Sequence, residues 1–433
     1  RPRPLPANPP VMFAAIASAW ALLLGIALIM LGNGLQNTLL GVRATLEGFG
    51  TGVTGFVMTG YFAGFLAGSL IVPRLLANVG HIRVFAAFAS VASGAALLHT
   101  VFVTPASWFL IRVVTGFCFS GLYVVAESWI NDAATNRTRG QLLSVYMIMV
   151  MGGVGTGQLL LNLSDPRSFE LFVLVSVLVS FALVPITLSV GRAPSFEASE
   201  SIGVRALFRA SPLGVSGAFL VGIAHSALFS MGAVYATRIG LAVDRLSLFI
   251  AMALFGGLAL QWPIGWISDR FDRRRVIVAA AWIATGASVA AGAGGADSYA
   301  LLVGATALLG GTSLPLYSLC GAHTNDHLTP RQIVAASATL VLVGGLGLTI
   351  GPLLAAGFMW LSGPPGLFWL FAIVHGAIGA YGLYRMLRRE PVPLDEQRTY
   401  DPVSLRTSPI VQAQTGGEVD DLRESDGGDA DRR

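Results

Sequence analysis

Residues 112–161 read RVVTGFCFSGLYVVAESWINDAATNRTRGQLLSVYMIMVMGGVGTGQLLL, an apolar helix, a short polar turn with two arginines, and a second apolar helix. The first helix carries Arg112 and Glu127 within an otherwise aliphatic and aromatic run. An ionised side chain at the centre of a bilayer costs about 3 kcal/mol or more, so such charges mark a protein interior or a solute path. At ~1.5 Å per residue the two are about 22 Å apart along one helix and cannot pair with each other. Each therefore needs a partner on another helix. Trp108 and Trp129 stand near the two ends of this run, where interfacial tryptophans are expected.

The same texture extends outward over the whole chain. Of 433 residues, 54% are hydrophobic and 12% charged, with a mean hydropathy of +0.70. Soluble domains carry roughly 25% charged residues. Cutting at polar and Gly/Pro breaks gives twelve apolar runs, at about 12–40, 49–73, 83–104, 107–130, 140–163, 168–190, 213–238, 246–267, 276–294, 298–320, 332–358 and 366–387. Each is close to the ~20 residues that cross the hydrocarbon core as a helix, and none shows the alternation of a barrel strand. The expected fold is an all-α membrane protein of twelve transmembrane helices. The first run, interrupted by GNGLQNT, is too long for a cleaved secretory signal.

Charge sets the expected orientation. All 27 basic residues are arginine, and without a lysine the chain has no Walker site, which excludes direct ATP coupling by this chain. With both ends inside, Arg1, Arg3, Arg74, Arg83, Arg137, Arg139, Arg192, Arg205, Arg209, Arg270, Arg273, Arg274, Arg275, Arg331, Arg385, Arg388 and Arg389 fall on the cytoplasmic side, against Arg43, Arg167, Arg238 and Arg245 outside. Short loops favour arginine on the cytoplasmic side. A multi-pass protein of the inner or plasma membrane with both termini cytoplasmic is expected. The net charge of +4 is thus a topology signal and implies no nucleic-acid partner. Cys118 and Cys320 lie in apolar runs and suggest neither a disulfide nor a metal site, and no cofactor is expected. No HExxH, Ser/His/Asp cluster or paired acid occurs within the spans, so enzymatic activity is not expected.

The chain repeats itself. Gly68 and Gly265 open similar polar turns 197 residues apart, Asn131-Asp132 and Asn325-Asp326 are offset by 194, Arg43 and Arg238 by 195, and the glycine runs 152–157 and 344–351 by about 192. A duplicated six-helix unit follows, and transporters built this way place a site between the halves near the midplane. The expected organisation is a proline-rich cytoplasmic lead (1–11), a six-helix bundle (12–190), a cytoplasmic linker (191–212) whose VRALFR segment suits a short amphipathic helix, a second six-helix bundle (213–389) and a disordered acidic cytoplasmic tail (390–433).

Polar residues inside the spans are the candidate pathway. Asn33, Gln36 and Asn37 share one face of the first span, with interhelical packing and a solute path as alternatives. Tyr123, Gln158, His225, Tyr235 and Tyr317 are further candidates, His225 equally readable as a satisfied packing residue. The GGVGTGQ run at 152–158 is a close-packing surface rather than a nucleotide loop, and His323 and His327, in a loop before Pro330, do not make a metal site.

Two stretches carry a resemblance. Gly265 to Arg274, GWISDRFDRR, resembles the signature turn of the major facilitator superfamily, and RVVTG from Arg112 resembles its span-4 arginine motif. The runs GLYVVAESW, TRGQLLSVYM, GQLL and QWPIG resemble the YcaD-like branch of that superfamily. The resemblance implies two pseudo-symmetric six-helix bundles rocking about a central cavity. It further implies a cytoplasmic gate formed by Arg74, Arg83, Asp269, Arg270, Arg273 and Arg274, and a switch at Arg112, for which a fixed donor to Asn33 or Asn37 is the alternative. Two departures stand out. The acid expected four residues after Gly68 is Val72, and the fifth span lacks the Gly-Pro pair of antiporters, whereas span 11 has Gly351-Pro352. Glu127 reads either as a replacement acceptor for Arg74 or Arg83, or as a carboxylate among Tyr123, Val124 and Val125 placed to take up and release a proton. The expected function is a monomeric secondary active transporter in the lipid bilayer, moving a small organic solute by alternating access with proton coupling. Alternatives are an uncoupled facilitator, or a transporter-like sensor or assembly factor worked by the acidic tail.

Overall fold

The computed structural model of the protein describes residues 9–133, 139–188, 202–394, 396–398 and 400. Fourteen α-helices occur among them: α1 (Pro9–Leu46), α2 (Thr51–Val79), α3 (His81–Val101), α4 (Pro105–Ala133), α5 (Arg139–Leu159), α6 (Glu170–Phe181), α7 (Leu183–Leu188), α8 (Val204–Ala210), α9 (Pro212–Arg238), α10 (Val243–Ser268), α11 (Arg273–Gly294), α12 (Tyr299–Asn325), α13 (Pro330–Ser362) and α14 (Gly366–Arg388). Helices are the form expected of these runs, because in hydrocarbon every backbone N–H and C=O must be satisfied within the span. Twelve spans are long and apolar enough to cross a bilayer, α6 and α7 together making the sixth. The break between those two falls just before Pro185. Proline has no N–H to donate and its ring crowds the carbonyl four residues back, here that of Phe181. The short linker helix expected at VRALFR is α8. An even number of crossings puts α1's start and α14's end on one side, here the terminal end; the opposite side is the distal end.

The two bundles are built on the same contacts. In the first, α2 packs on α4, α1 on α5 and α3 on α6; in the second, α10 packs on α12, α9 on α13 and α11 on α14. The closest approaches coincide residue by residue. A Cβ at Gly64 would strike the Val113 carbonyl and one at Gly116 the Tyr61 carbonyl; in the second bundle Gly256 meets Ala307 and Gly310 meets Ala253 in the same way. Only glycine permits backbones this near, and tight packing of this kind holds membrane helices together where burial from water does not.

These pairs fix the repeat register. Thr51 and Val243 begin α2 and α10, and His81 and Arg273 begin α3 and α11, each 192 residues apart. The pairing of Gly68 with Gly265 at 197 is therefore five residues out of register. The counterpart of Asp269 is Ala77, not Val72, and the first-half turn lacks the acid in either alignment. The slip arose because α2 continues through Pro73 to Val79, so the proline does not end the helix before the turn.

The bundles are joined toward the distal end and the middle. Gly41 of α1 abuts Ala233 of α9, Gly55 of α2 abuts Pro352 and Ala356 of α13, Gly155 of α5 meets the Phe255 ring, and Gly345 meets Leu66. At the distal face the Asn162 side chain donates to Ser247 Oγ at 2.8 Å.

Candidate functional site

Arg112 is buried, and the first bundle is arranged around it. Its Nη2 donates to Asn37 Oδ1 at 2.9 Å, Asn37 Nδ2 donates to Asn33 Oδ1 at 2.7 Å, and Asn33 Nδ2 donates to the Tyr61 hydroxyl at 3.2 Å. The guanidinium carbon lies 4.4 Å from the centre of the Tyr61 ring, a cation–π distance. The chain thus closes on itself over α1, α2 and α4. Helical geometry makes it possible: Asn33 and Asn37 are one turn apart on one face, and Tyr61 lies on the glycine side of α2 that approaches α4. Asn37 is one of the two acceptors on the first span expected for Arg112. Tyr61 was missed at the sequence level, although its position between Gly60 and Gly64 marked that face.

Glu127 is fully buried two turns before the end of α4 and accepts a 2.8 Å hydrogen bond from the Tyr146 hydroxyl of α5. Arg74 and Arg83 are exposed and form no ion pair among the described residues, so neither is met by Glu127 there. Trp108 is likewise not an interfacial anchor. It is wholly buried between Phe49 and His99, with its indole N–H donating to the His99 carbonyl at 3.0 Å.

The remaining candidates are buried but divide among separate places. Tyr123 donates to Met30 Sδ at 2.9 Å and packs edge-on to Phe65, which ties α4 to α1 and α2. Gln36 and Gln158 lie on the packed helices α1 and α5; Gln36 Nε2 and Gln158 Oε1 are buried without a hydrogen-bond partner among the described residues. His225 Nε2 lies 3.2 Å from the Ser313 carbonyl, and Ser313 Oγ lies 2.7 Å from His375 Nε2. Ser313 and His375 were not anticipated, since α14 offers one histidine in an apolar run and nothing that points to α12. The repeat adds a relation: Gly34 and Gly222 make matching approaches to α5 and α13, 188 residues apart, and the same shift carries Asn37 to His225. Tyr317 is likewise the counterpart of Tyr123, at the 194-residue shift that carries Gly116 to Gly310. Tyr235 does not join them. Its ring packs between Phe249 and Phe368, in the core of the second bundle near its distal end.

At the terminal end the second-bundle turn is an ion-pair cluster. Arg273 is buried, donates through Nη1 to both carboxylate oxygens of Asp326 at 2.8 and 2.7 Å and through Nε to Ser268 Oγ at 3.1 Å, and sits 3.6 Å from Asp269. Asp272 caps α11 by accepting from the Arg274 backbone N–H at 3.0 Å and holds the Arg274 side chain at 3.1 and 2.9 Å. Arg270 lies on the Trp266 ring at 3.8 Å. Burial raises the pKa of the Asp326 and Asp269 carboxyls from the ordinary carboxylate value, opposed at both by Arg273. Asp326 was legible as half of the repeated Asn-Asp pair, but not as the partner of Arg273. Its counterpart Asp132 lies where side chains are outside the described residues.

The family model described as Major Facilitator Superfamily matches residues 22–259 and 216–413. The chain belongs to the major facilitator superfamily. Within it, the chain is 26% identical over 340 residues to a protein of Escherichia fergusonii named as an uncharacterized transporter of this superfamily, YcaD, covering 78% of this chain and 88% of that one. A YcaD protein of Salmonella paratyphi A is 27% identical over 350 residues, covering 80% and 90%. Among solved structures, the nucleoside transporter NupG shares the fold with a TM-score of 0.70 at 15% identity, over 86% of this chain and 98% of that one. A bacterial homologue of the lysosomal transporter Spinster, inward-facing and unoccupied, does so with a TM-score of 0.64 at 17% identity, over 94% and 98%. Membership of the superfamily makes this an integral, multi-pass membrane protein of a solute-transporting family.

Proposed function

We propose that the protein is a secondary active transporter that carries a small organic solute by alternating access and couples that movement to protons. The observation that carries the reading is the buried chain Tyr61–Asn33–Asn37–Arg112, a fixed cation and two amides held inside a superfamily bundle at a cost that simple packing would not require. A site built from one guanidinium, amides, hydroxyls and aromatic rings suits neutral or anionic amphiphiles better than strong cations. The arginine distribution supports a cytoplasmic terminal end. The bundles then meet on the outer side, and this conformation is the one closed to the outside. Asp269, Arg270, Arg273 and Arg274 act as the gate on the cytoplasmic side, where the long 3.6 Å contact between Arg273 and the part-exposed Asp269 can part and re-form while Arg273 stays held by the buried Asp326. Glu127, buried between α4 and α5, is the proton carrier in this reading, and Arg112 is the switch that influences proton or substrate binding in the cavity.

The test uses proteoliposomes loaded with a pH-sensitive dye and challenged with pools of metabolites and drugs, chosen first by their ability to raise the melting temperature of the purified protein. A solute that moves protons in the parent and not in Glu127→Gln supports the reading. Solute flux indifferent to an imposed pH gradient makes the protein an uncoupled facilitator.

A further inference from the structure

The first residues beyond α14 depart from the disorder expected from Glu390 onward. They run back across the terminal end of the second bundle and finish on the signature turn. Arg389 Nη1 donates to the Ala210 carbonyl at 2.9 Å, and Arg274 Nη1 donates to the Arg389 carbonyl at 2.7 Å. The Arg398 backbone N–H donates to Asp326 Oδ1 at 3.0 Å while its carbonyl accepts from Arg273 Nη2. The Tyr400 N–H donates to Asp269 Oδ1 at 2.7 Å, and the Tyr400 ring is buried against Gly265, where any side-chain carbon would overlap it. The segment thus engages Asp269 of the turn, Asp326 at the end of α12 and the arginine between them, using its backbone for the polar contacts and one aromatic ring as the anchor. Acidic composition predicted a solvated tail; the backbone N–H groups of Arg398 and Tyr400, which composition does not describe, donate to the buried Asp326 and the part-exposed Asp269 carboxylates.

The site is one-sided. At the 192-residue shift, Gly265, Asp269 and Arg273 become Pro73, Ala77 and His81, so the first bundle offers neither the space for the ring nor the acid for the N–H. His81 is instead committed to Ser128 Oγ at 2.9 Å. From this we infer that the described residues after α14 (389–394, 396–398 and 400) belong to a strap that docks on the surface made by Gly265, Asp269, Arg273 and Asp326, and that it regulates the gate. Docked, the strap occupies Asp269 and ties the α10–α11 turn to the end of α12. Released, it frees Asp269 to face the other bundle. This rests on the gate role proposed above for the turn.

The experiment separates docking from transport. A nitroxide on Leu394→Cys, an exposed strap residue, reads mobility in the full-length protein; Cys118 and Cys320 are buried and stay unlabelled. The spectrum is expected to be immobilised in the parent and freed by Gly265→Ala, which evicts the ring, and by Tyr400→Ala, which removes it without a clash. A second pair of labels, on exposed Asn78 and Phe271 at the terminal ends of the two bundles, reads closure by pulsed electron–electron distances. Release of the strap is expected to shift that distribution toward shorter distances. A mobile label in the parent overturns the docking. A released strap with an unchanged distance distribution overturns the regulation. If Gly265→Ala does not fold, Tyr400→Ala carries both readings. Neither measurement needs a solute, so failure of the transport reading would appear separately, as absence of flux from proteoliposomes whose labels behave as expected.

Discussion

Replacing Asn37 by leucine removes the link between Arg112 and the rest of its polar chain. The loss has two parts. Arg112 Nη2 loses the acceptor at 2.9 Å, and a hydrogen bond to a charged group contributes about 1.5–3 kcal/mol. Asn33 Oδ1 loses the donor at 2.7 Å, a neutral bond of about 1 kcal/mol. All three residues are buried, so water does not replace either bond without opening the bundle. Together the loss should be about 2–4 kcal/mol. Detergent-unfolding titrations of the purified protein would measure it. Asn37→Asp retains an acceptor for Arg112 and should lose much less. The decisive comparison is a double-mutant cycle with Arg112→Met: once the guanidinium is gone, Asn37→Leu should cost only the neutral bond, leaving a coupling of about 1–3 kcal/mol. Additive single and double variants, or a cost for Asn37→Leu under about 0.5 kcal/mol, would refute the reasoning.

Four further outcomes are expected. Gly64→Ala, Gly116→Ala, Gly256→Ala and Gly310→Ala should each lower the melting temperature strongly, because each Cβ meets a facing backbone carbonyl, whereas Gly52→Ala and Gly94→Ala, with open space around them, should be neutral or gain up to about 1 kcal/mol of helix propensity. Tyr146→Phe should cost about 1–3 kcal/mol in the same unfolding titration by leaving Glu127 without that hydroxyl donor, and Tyr146→Phe combined with Glu127→Gln should cost less than the two separately. In intact cells, a membrane-impermeant maleimide should label Asp165→Cys at the distal end and spare Arg275→Cys until the membrane is opened; the reverse pattern would invert the orientation. Arg273→Met should destabilise the protein by about 3–5 kcal/mol in unfolding titrations, since it leaves the buried Asp326 carboxylate without its ion-pair partner.

Which helices exist, roughly where they end, that they come as two sixes and which turns collect the arginines were all legible in the chain. A span in hydrocarbon must satisfy its own backbone, and loop charge acts locally, so both properties are written residue by residue. Partner choice between helices was not. It depends on how each helix is rotated and how far it slides against its neighbour, quantities set by backbone approaches such as Gly64 on Val113 and Gly116 on Tyr61 rather than by composition. Tertiary packing alone therefore decided that Glu127 is met by a tyrosine and not by Arg74 or Arg83, that Trp108 is sealed inside the bundle, that the repeat registers at 192 rather than 197 through α2, and that Tyr400 returns to Gly265. Rigid-body placement turns scattered polar residues into pairs, and no linear spacing encodes it.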